Sequence, residues 1–270
     1  MSVLDEQLDD SRRRSIAARE REPIEALRAR ALDVAAGPSL RAALAGPGVA
    51  VIAEIKRGSP SRGPLAPDLD PVALATQYGA GGASAVSVLT APLGFGGSLG
   101  DLEAVARTRL PTLRKDFLVD PYQVWEARAA GASAVLLLAV ALDDAALRSM
   151  LSTAEEAGLD VLLEVHDEQE MRRAAQVEPA IVGVNVRDLR DFSVENARFA
   201  AVADLRQSGA VLVAESGVHG PADVAAYAAA GADAVLVGEH LVMSSDPEQA
   251  TRDLVEAGAG TAEAGTGARR

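Results

Sequence analysis

The chain has 270 residues, 49% of them hydrophobic but only 3% aromatic, with no cysteine and a formal net charge of −13. The missing cysteine excludes disulfides, thiolate metal sites and a thiol nucleophile, and the strong acidity argues against binding nucleic acid or an anionic membrane. The length suits one α/β barrel of about 250 residues, and no apolar run approaches the ~20 residues needed to cross a bilayer.

The first ten residues, MSVLDEQLDD, are acidic and lack the apolar stretch of a secretory signal, so a cytoplasmic protein is expected. From about Leu4 to Leu44 the chain is charged and helical in pattern, with Arg12-Arg13-Arg14 and Arg19-Glu20-Arg21-Glu22. This segment reads as one or two extra helices capping a barrel end, their charges forming a solvated face. A first strand is predicted near Val49–Lys56. A recurring phrase then dominates: Gly82-Ala83-Ser84-Ala85-Val86 returns as Gly131-Ala132-Ser133-Ala134-Val135 and as Gly231-Ala232-Asp233-Ala234-Val235. Each copy follows an Ala-containing helical segment and leads into an apolar run. That order reads as helix, glycine stop, short loop, strand buried on both faces. Further strands are predicted at Thr112–Lys115, Val161–Glu164, Ile181–Asn185 and Val211–Glu215. Helices are predicted at Leu99–Arg107, Asp143–Ala157, Glu168–Ala175, Val194–Leu205 and Pro247–Ala257. Eight β–α units point to a single (β/α)8 TIM barrel with an N-terminal helical extension. A doubly wound sheet is the rival, but no Gly-x-Gly-x-x-Gly follows the first strand. One domain over residues 1–257 is expected, with the extension over 1–47, the barrel over 48–257 and a Gly/Ala/Thr-rich, disordered tail over 258–270.

In such a barrel the chemistry lies at the C-terminal strand ends. In order these carry Glu54 and Lys56, Thr90, Lys115, Glu164, Asn185, Glu215 with Ser216, and Gly238. Glu54 and Lys56 are two apart in one strand and share a face. Burying them unpaired would cost several kcal/mol each, so they need one another, Lys115 or Glu164. A structural ion-pair layer would account for any one charge, whereas two lysines and two glutamates gathered at strand ends favour a functional site. The glycines of Glu215-Ser216-Gly217 and Gly238-Glu239 follow strands seven and eight, where barrels of this kind bind phosphate. Ser59 and Ser61 offer further hydroxyl donors. His166, His219 and His240 lack ligand spacing and are read as exposed or capping residues, so no metal site is expected.

These pieces together resemble the indole-3-glycerol-phosphate synthase family. The resemblance rests on Ile52-Ala53-Glu54-Ile55-Lys56-Arg57, Ser59-Pro60-Ser61, Ser87-Val88-Leu89-Thr90 and Leu113-Arg114-Lys115-Asp116-Phe117. It continues through Asp120-Pro121-Tyr122-Gln123, Leu163-Glu164-Val165-His166, Gly183-Val184-Asn185, Arg187-Asp188-Leu189, Glu215-Ser216-Gly217 and Leu236-Val237-Gly238-Glu239, in family order from about residue 4 to 256. Val186 departs from the small polar residue usual after the Asn, and Gly94 and Gly96 flank Phe95 in a loop that is usually bulkier.

The resemblance implies a reaction that closes an indole ring on 1-(2-carboxyphenylamino)-1-deoxyribulose 5-phosphate, with loss of CO2 and water and without a cofactor. It makes Lys115 the general acid for ring closure and Glu164 the base or relay for dehydration. Glu54 and Asn185 orient the substrate and the lysines; Lys56 meets a substrate anion or acts as a second acid, and spacing leaves the division between the lysines open. Ser59, Ser216, Gly217 and Gly238 are implied for the phosphate, Arg187 for a carboxylate, and Glu215 for substrate binding. Phe95, Phe117 and Leu189 are implied around the aromatic ring. The expected partner is this small phosphorylated aromatic amine, with the protein a monomer or weak oligomer. The rivals are another phosphosugar barrel of the same pathway and a barrel that only binds a phosphorylated ligand. One such barrel, phosphoribosylanthranilate isomerase, would be expected to use a cysteine base, which this chain lacks.

Overall fold

The computed structural model describes residues 2–187, 193–195 and 197–265. Eight parallel strands close into a barrel: β1 (Ala50–Ile55), β2 (Ala85–Leu89), β3 (Thr112–Lys115), β4 (Ala134–Leu138), β5 (Asp160–Val165), β6 (Ile181–Asn185), β7 (Val211–Glu215) and β8 (Ala234–Val237). Each pairs with its neighbour in sequence, and β1 closes the ring by pairing Ala50 with Ala234 of β8 and Ile52 with Ala85 of β2. Between strands run α4 (Pro71–Ala80), α5 (Leu99–Ala106), α6 (Pro121–Ala129), α7 (Asp144–Ala157), α8 (Glu168–Ala174), α9 (Ala197–Ala203) and α10 (Pro221–Ala229). The helices begin where the chain supplies caps. Asp70 and Asp120 each precede a proline at the first helical turn and accept from backbone N–H groups, and Asp143 and Asp167 do the same without proline. The glycine of each recurring phrase stops a helix in the left-handed region, at φ 92 for Gly82, 83 for Gly131 and 91 for Gly231.

Side chains alternate along the strands. Val51, Ala53 and Ile55 of β1 face the helices, while Ile52 faces the barrel interior with Leu113, Leu136, Leu162, Ile181, Val213 and Leu236. That interior is apolar below and charged above, because the next inward positions of β1, β3, β5 and β7 are Glu54, Lys115, Glu164 and Glu215, and Asn185 ends β6.

The N-terminal extension is three helices rather than one or two: α1 (Val3–Arg21), α2 (Ile24–Asp33) and α3 (Leu40–Leu44). Helix α1 crosses the mouth, where Gln7 donates to Leu93 O at 2.9 Å, Ser15 to Asp120 at 2.7 Å, and Tyr122 OH to Ala18 O at 3.1 Å. Helix α2 runs against α6, with the Arg28 guanidinium 4.7 Å above the Trp125 ring. Helix α3 plugs the opposite end, where buried Leu40 and Leu44 join the interior cluster and Ser39 Oγ donates to Asp160 at 2.8 Å. The expected solvated arginine face is also corrected. Arg12 and Arg13 are exposed, but Arg14 grips Asp116 with two hydrogen bonds of 3.0 and 2.8 Å.

After β8 come the single-turn α11 (Glu239–Val242) and then α12 (Pro247–Gly265). The last helix thus continues past the expected end at Ala257 into the segment read as a disordered tail. Gly258 O accepts from Val49 N–H at 3.1 Å, and a methyl at Gly258 would collide with Val49, so close docking beside β1 extends the helix. Among the described residues no helix is long and apolar enough to cross a membrane.

Candidate active site

A cavity opens at the C-terminal end of the barrel. Glu54, Lys56, Ser59, Phe95, Lys115, Phe117, Glu164, Asn185, Arg187 and Ser216 line it. A smaller lobe shares seven residues with it, Glu54, Lys56, Lys115, Asn185, Arg187, Ser216 and Glu239, and adds Glu215, Gly217 and Gly238. Every site residue expected from the sequence therefore lines one joined cavity, except Leu189, which with Asp188 lies outside the described residues.

Lys115, at the end of β3, is the centre. Its Nζ lies 3.1 Å from Glu164 Oε2 and 3.1 Å from Glu215 Oε2. Burial alone would lower the lysine's pKa, but the carboxylates of Glu164, Glu215 and Glu54 outweigh it and hold the ammonium firmly protonated. For Glu164 burial acts upward, and Lys115, His166 and Asn185 overcome it, so this carboxylate stays ionised. Glu215 goes the other way. Burial and the nearby Glu164 charge push it up to about 8 against the pull of Lys115. Two carboxylates sharing one ammonium divide their proton between them, and Glu215 is the one that takes it. Its Oε1 is buried without a hydrogen-bond partner, and a methyl at Gly183 would collide with that atom. Glycine at this inward position of β6 is what makes room for the carboxyl.

Sequence reasoning grouped Glu215 with the groups that contact substrate; the structure seats it beside Lys115, on the cavity floor. Asn185 supports the same cluster, donating to Glu164 Oε1 at 2.9 Å and accepting from Ser216 Oγ at 2.9 Å and from Arg187 N–H at 3.1 Å. Ser216 adopts φ 71, a left-handed conformation that costs a non-glycine residue of order 1 kcal/mol, and its bond to Asn185 holds it there. Gly217 follows at φ 73.

Lys56 and Glu54 pair across the first strand end at 2.7 Å. A methyl at Gly238 would strike both of them, so this glycine makes room for the pair as well as turning the chain toward α11. Ser59 lies in a small hairpin of Gly58–Ser59 with Gly63–Pro64. At the lip Arg62 pairs with Glu239 at 2.9 Å and joins the loops after β1 and β8. The apolar wall is Phe95 and Phe117, with ring centroids 6.0 Å apart, together with Leu89, Leu136 and Leu138. The three leucines were legible only as strand core, because a residue that packs a barrel layer and one that faces a ligand carry the same apolar signature.

Two features escaped the sequence reading. Asp116, next to Lys115, points out of the barrel and is fully engaged by Arg114, Arg14, Thr90 and the Phe117 N–H. Burial works against its ionisation, yet Arg114 and Arg14 bring its carboxyl down to about 2. This knot fixes the backbone between Lys115 and Phe117. His166 is the second correction: it is buried, not exposed. Its Nε2 lies 3.1 Å from Glu164 Oε1 and its Nδ1 3.1 Å from Glu170 Oε2. Burial would lower its pKa, but the two carboxylates raise it to about 10. The signal was Glu170 four residues on, at the start of a helix that turns it back toward His166. Of the other histidines, His219 is exposed and its backbone N–H is capped by Asp223 at 2.8 Å, and His240 is half-buried in α11.

The family model for indole-3-glycerol phosphate synthase matches residues 4–254. An indole-3-glycerol phosphate synthase of Streptomyces griseus subsp. griseus is 52% identical over 260 residues, 96% of this chain and 97% of that protein. Indole-3-glycerol phosphate synthase 1 of Streptomyces coelicolor is 50% identical over 259 residues, 96% of each. Among solved structures, a tryptophan synthase from M. tuberculosis superposes with a TM-score of 0.61 at 17% identity over 83% of this chain and 99% of that chain. A 3-hexulose-6-phosphate synthase from Salmonella typhimurium gives 0.59 at 16% identity over 77% and 98%. At these identities the two structures bear on the fold alone.

Proposed function

The chain belongs to the indole-3-glycerol phosphate synthase family, and from that premise we propose that it is a carboxy-lyase of tryptophan biosynthesis, acting in the cytoplasm on 1-(2-carboxyphenylamino)-1-deoxyribulose 5-phosphate. The ring carbon bearing the carboxylate attacks the ketone carbon. Lys115 protonates the ketone oxygen as that bond forms. The carbon–carboxylate bond then breaks, CO2 departs, and its electron pair restores the aromatic ring. In the last stage the new hydroxyl takes a second proton and leaves as water, while Glu164 removes a proton from the nitrogen-bearing methylene to complete the indole.

The charges suit these tasks. An ammonium between two carboxylates is a donor at short range, and ionised Glu164 is an acceptor. Lys56 serves the substrate carboxylate or delivers the second proton, with Glu54 orienting it. Ser59, Ser216, Gly217 and Gly238 sit where the phosphate would be held, and Arg187 where a second anion would be met. Phe95 and Phe117, packed on one another, would wall one side of the slot for the aryl ring. The proposed chemistry needs no cofactor, and the proposed partner is the small-molecule substrate alone, bound by a monomer or weak oligomer.

The observation that supports this reading best is the Lys115 ammonium, 3.1 Å from both Glu164 and Glu215 in a cavity walled by Phe95 and Phe117. Mixing the protein with the anthranilate ribulose phosphate is expected to generate indole fluorescence, and no product at micromolar enzyme would sink the reading. The dephosphorylated substrate is expected to bind at least about a hundredfold more weakly, since several charge-assisted hydrogen bonds are lost.

A further inference from the structure

The reaction proposed above consumes protons, and this inference rests on that reading. Two protons go to the departing oxygen and one returns from the methylene carbon, so each turnover draws one proton from solvent. The cavity floor holds three buried carboxylates, Glu54, Glu164 and Glu215, against the ammoniums of Lys56 and Lys115. With Glu215 protonated, the two remaining carboxylates match the two ammoniums, and a dry site needs a route by which the consumed proton enters.

We propose that His166 and Glu170 form that route: His166 connects Glu164, on the cavity floor, to half-buried Glu170 at the start of α8, and carries the proton inward. The geometry is two-sided. Nε2 stands 3.1 Å from Glu164 Oε1, and Nδ1 stands 3.1 Å from Glu170 Oε2, which also accepts from the His166 backbone N–H at 2.9 Å. The same carboxylate therefore locks the ring's outer edge to its own main chain. The inner contact is poorly aligned, because Asn185 already donates to Glu164 Oε1 at 2.9 Å, and Nε2 is left as a buried donor without a hydrogen bond. A modest rotation of the Glu164 carboxylate when substrate arrives would align it, since catalytic hydrogen bonds often tighten only in the complex.

The groups around the ring are Glu164 on its own strand, Glu170 on α8 and, beyond Glu164, Lys115 on β3, Asn185 on β6 and Glu215 on β7. The two direct neighbours are carboxylates, one against each ring nitrogen, so the imidazole is cationic at neutral pH. In the transfer the Nε2–H bond breaks and its proton joins Glu164, which hands it to Lys115 Nζ, 3.1 Å away, once that lysine has given its proton to the ketone oxygen; Glu164 is then again the carboxylate that takes the methylene proton. The imidazole left behind is neutral and regains a proton from the Glu170 side, which is 15% exposed to water. No electrons change hands. Neither residue reaches the cavity; both act through Glu164, as positioning residues.

The decisive variant is His166→Asn, whose amide reaches the Glu170 side but not Glu164. With the Tm near wild type, kcat is expected to fall about tenfold to a hundredfold, the lower range of proton-transfer contributions, with KM little changed and with partial rescue by free imidazole. Glu170→Gln keeps an acceptor for the His166 N–H and is expected to lower kcat several-fold; it carries the test if the first variant does not fold. Independently of turnover, 15N shifts of the His166 ring in the unliganded protein are expected to report an imidazolium at pH 8. A neutral ring at that pH overturns the proposal, as does a folded His166→Asn enzyme with wild-type kcat, or one slowed with no imidazole rescue. A wild-type protein that forms no indole product instead removes the reading on which the proposal rests, while the ring shifts still report the charge of His166.

Discussion

In the proposed mechanism the chemistry turns on Lys115, and its removal is expected to have two effects that separate experimentally. The first is loss of the proton donor, so Lys115→Ala is expected to lower kcat by at least about a hundredfold. The second is electrostatic: Glu164 and Glu215 would face one another without the ammonium. Leaving buried charge unpaired costs about 3–5 kcal/mol, but Glu215, raised to about 8, already holds a proton at neutral pH, which softens the loss. Steady-state assays beside far-UV dichroism check this; near-normal turnover would remove Lys115 from the mechanism. Gly183 carries a complementary prediction. Gly183→Ala drives a methyl against Glu215 Oε1, so Glu215 must swing away from Lys115. The expected result is a fold weakened by about 1–3 kcal/mol with a clear fall in kcat, read from denaturant melts and assays on one preparation. These residues differ in how legible they were. Glu54, Lys115 and Glu164 announced themselves as charges ending apolar strands. Gly183 did not, because its role is to be empty space for a side chain on the next strand.

The extension shows how elements divide labour. Helix α1 reaches the mouth through Arg14, whose bonds to Asp116 fix the turn between Lys115 and Phe117; α3 seals the far end through Leu40 and Leu44. Arg14→Ala removes hydrogen bonds between charged groups, worth about 1.5–3 kcal/mol, and loosens a segment beside the catalytic lysine, so both Tm and kcat are expected to fall. Leu44→Ala empties a buried leucine site, at about 2.7–5 kcal/mol, yet kcat at moderate temperature is expected to stay near wild type because nothing in the cavity touches α3. Thermal melts and assays on the pair check the contrast, and equal effects on kcat would refute the division. The barrel elements were legible because helix, glycine stop and apolar strand recur with unambiguous periodicity. The extension was legible only as helical: a five-residue helix offers barely one turn of pattern, and an arginine run looks the same whether it faces water or a buried aspartate. The last helix misled for a related reason. Gly258 breaks local helix propensity, and only its close approach to Val49 shows why glycine stands there.

At the scale of the whole molecule, the buried charges that equip the site also set its pH range. Asp116 is held at about 2, below its ordinary 3.8; its contribution to folding is present above 3.8 and is lost as pH falls toward 2. His166 is shifted the other way, from 6.5 to about 10. Between those values the folded protein keeps a proton that the unfolded chain has released, so this contribution is complete below 6.5 and disappears as pH rises through 10. Glu215, raised from 4.5 to about 8, adds an earlier loss: its contribution is complete below 4.5, falls as pH rises between those values, and is gone above 8, where both states are ionised. Stability is therefore expected to be highest at about pH 4 to 5 and to decline as pH rises, through Glu215 up to about 8 and through His166 up to about 10. Replacing His166 with Asn removes one of the two alkaline contributions and is expected to flatten that decline, while leaving the acid limb set by Asp116 in place. Chemical-denaturation midpoints measured across this range check both statements. A variant whose alkaline slope matches the wild type would mean that His166 carries no extra proton in the folded state.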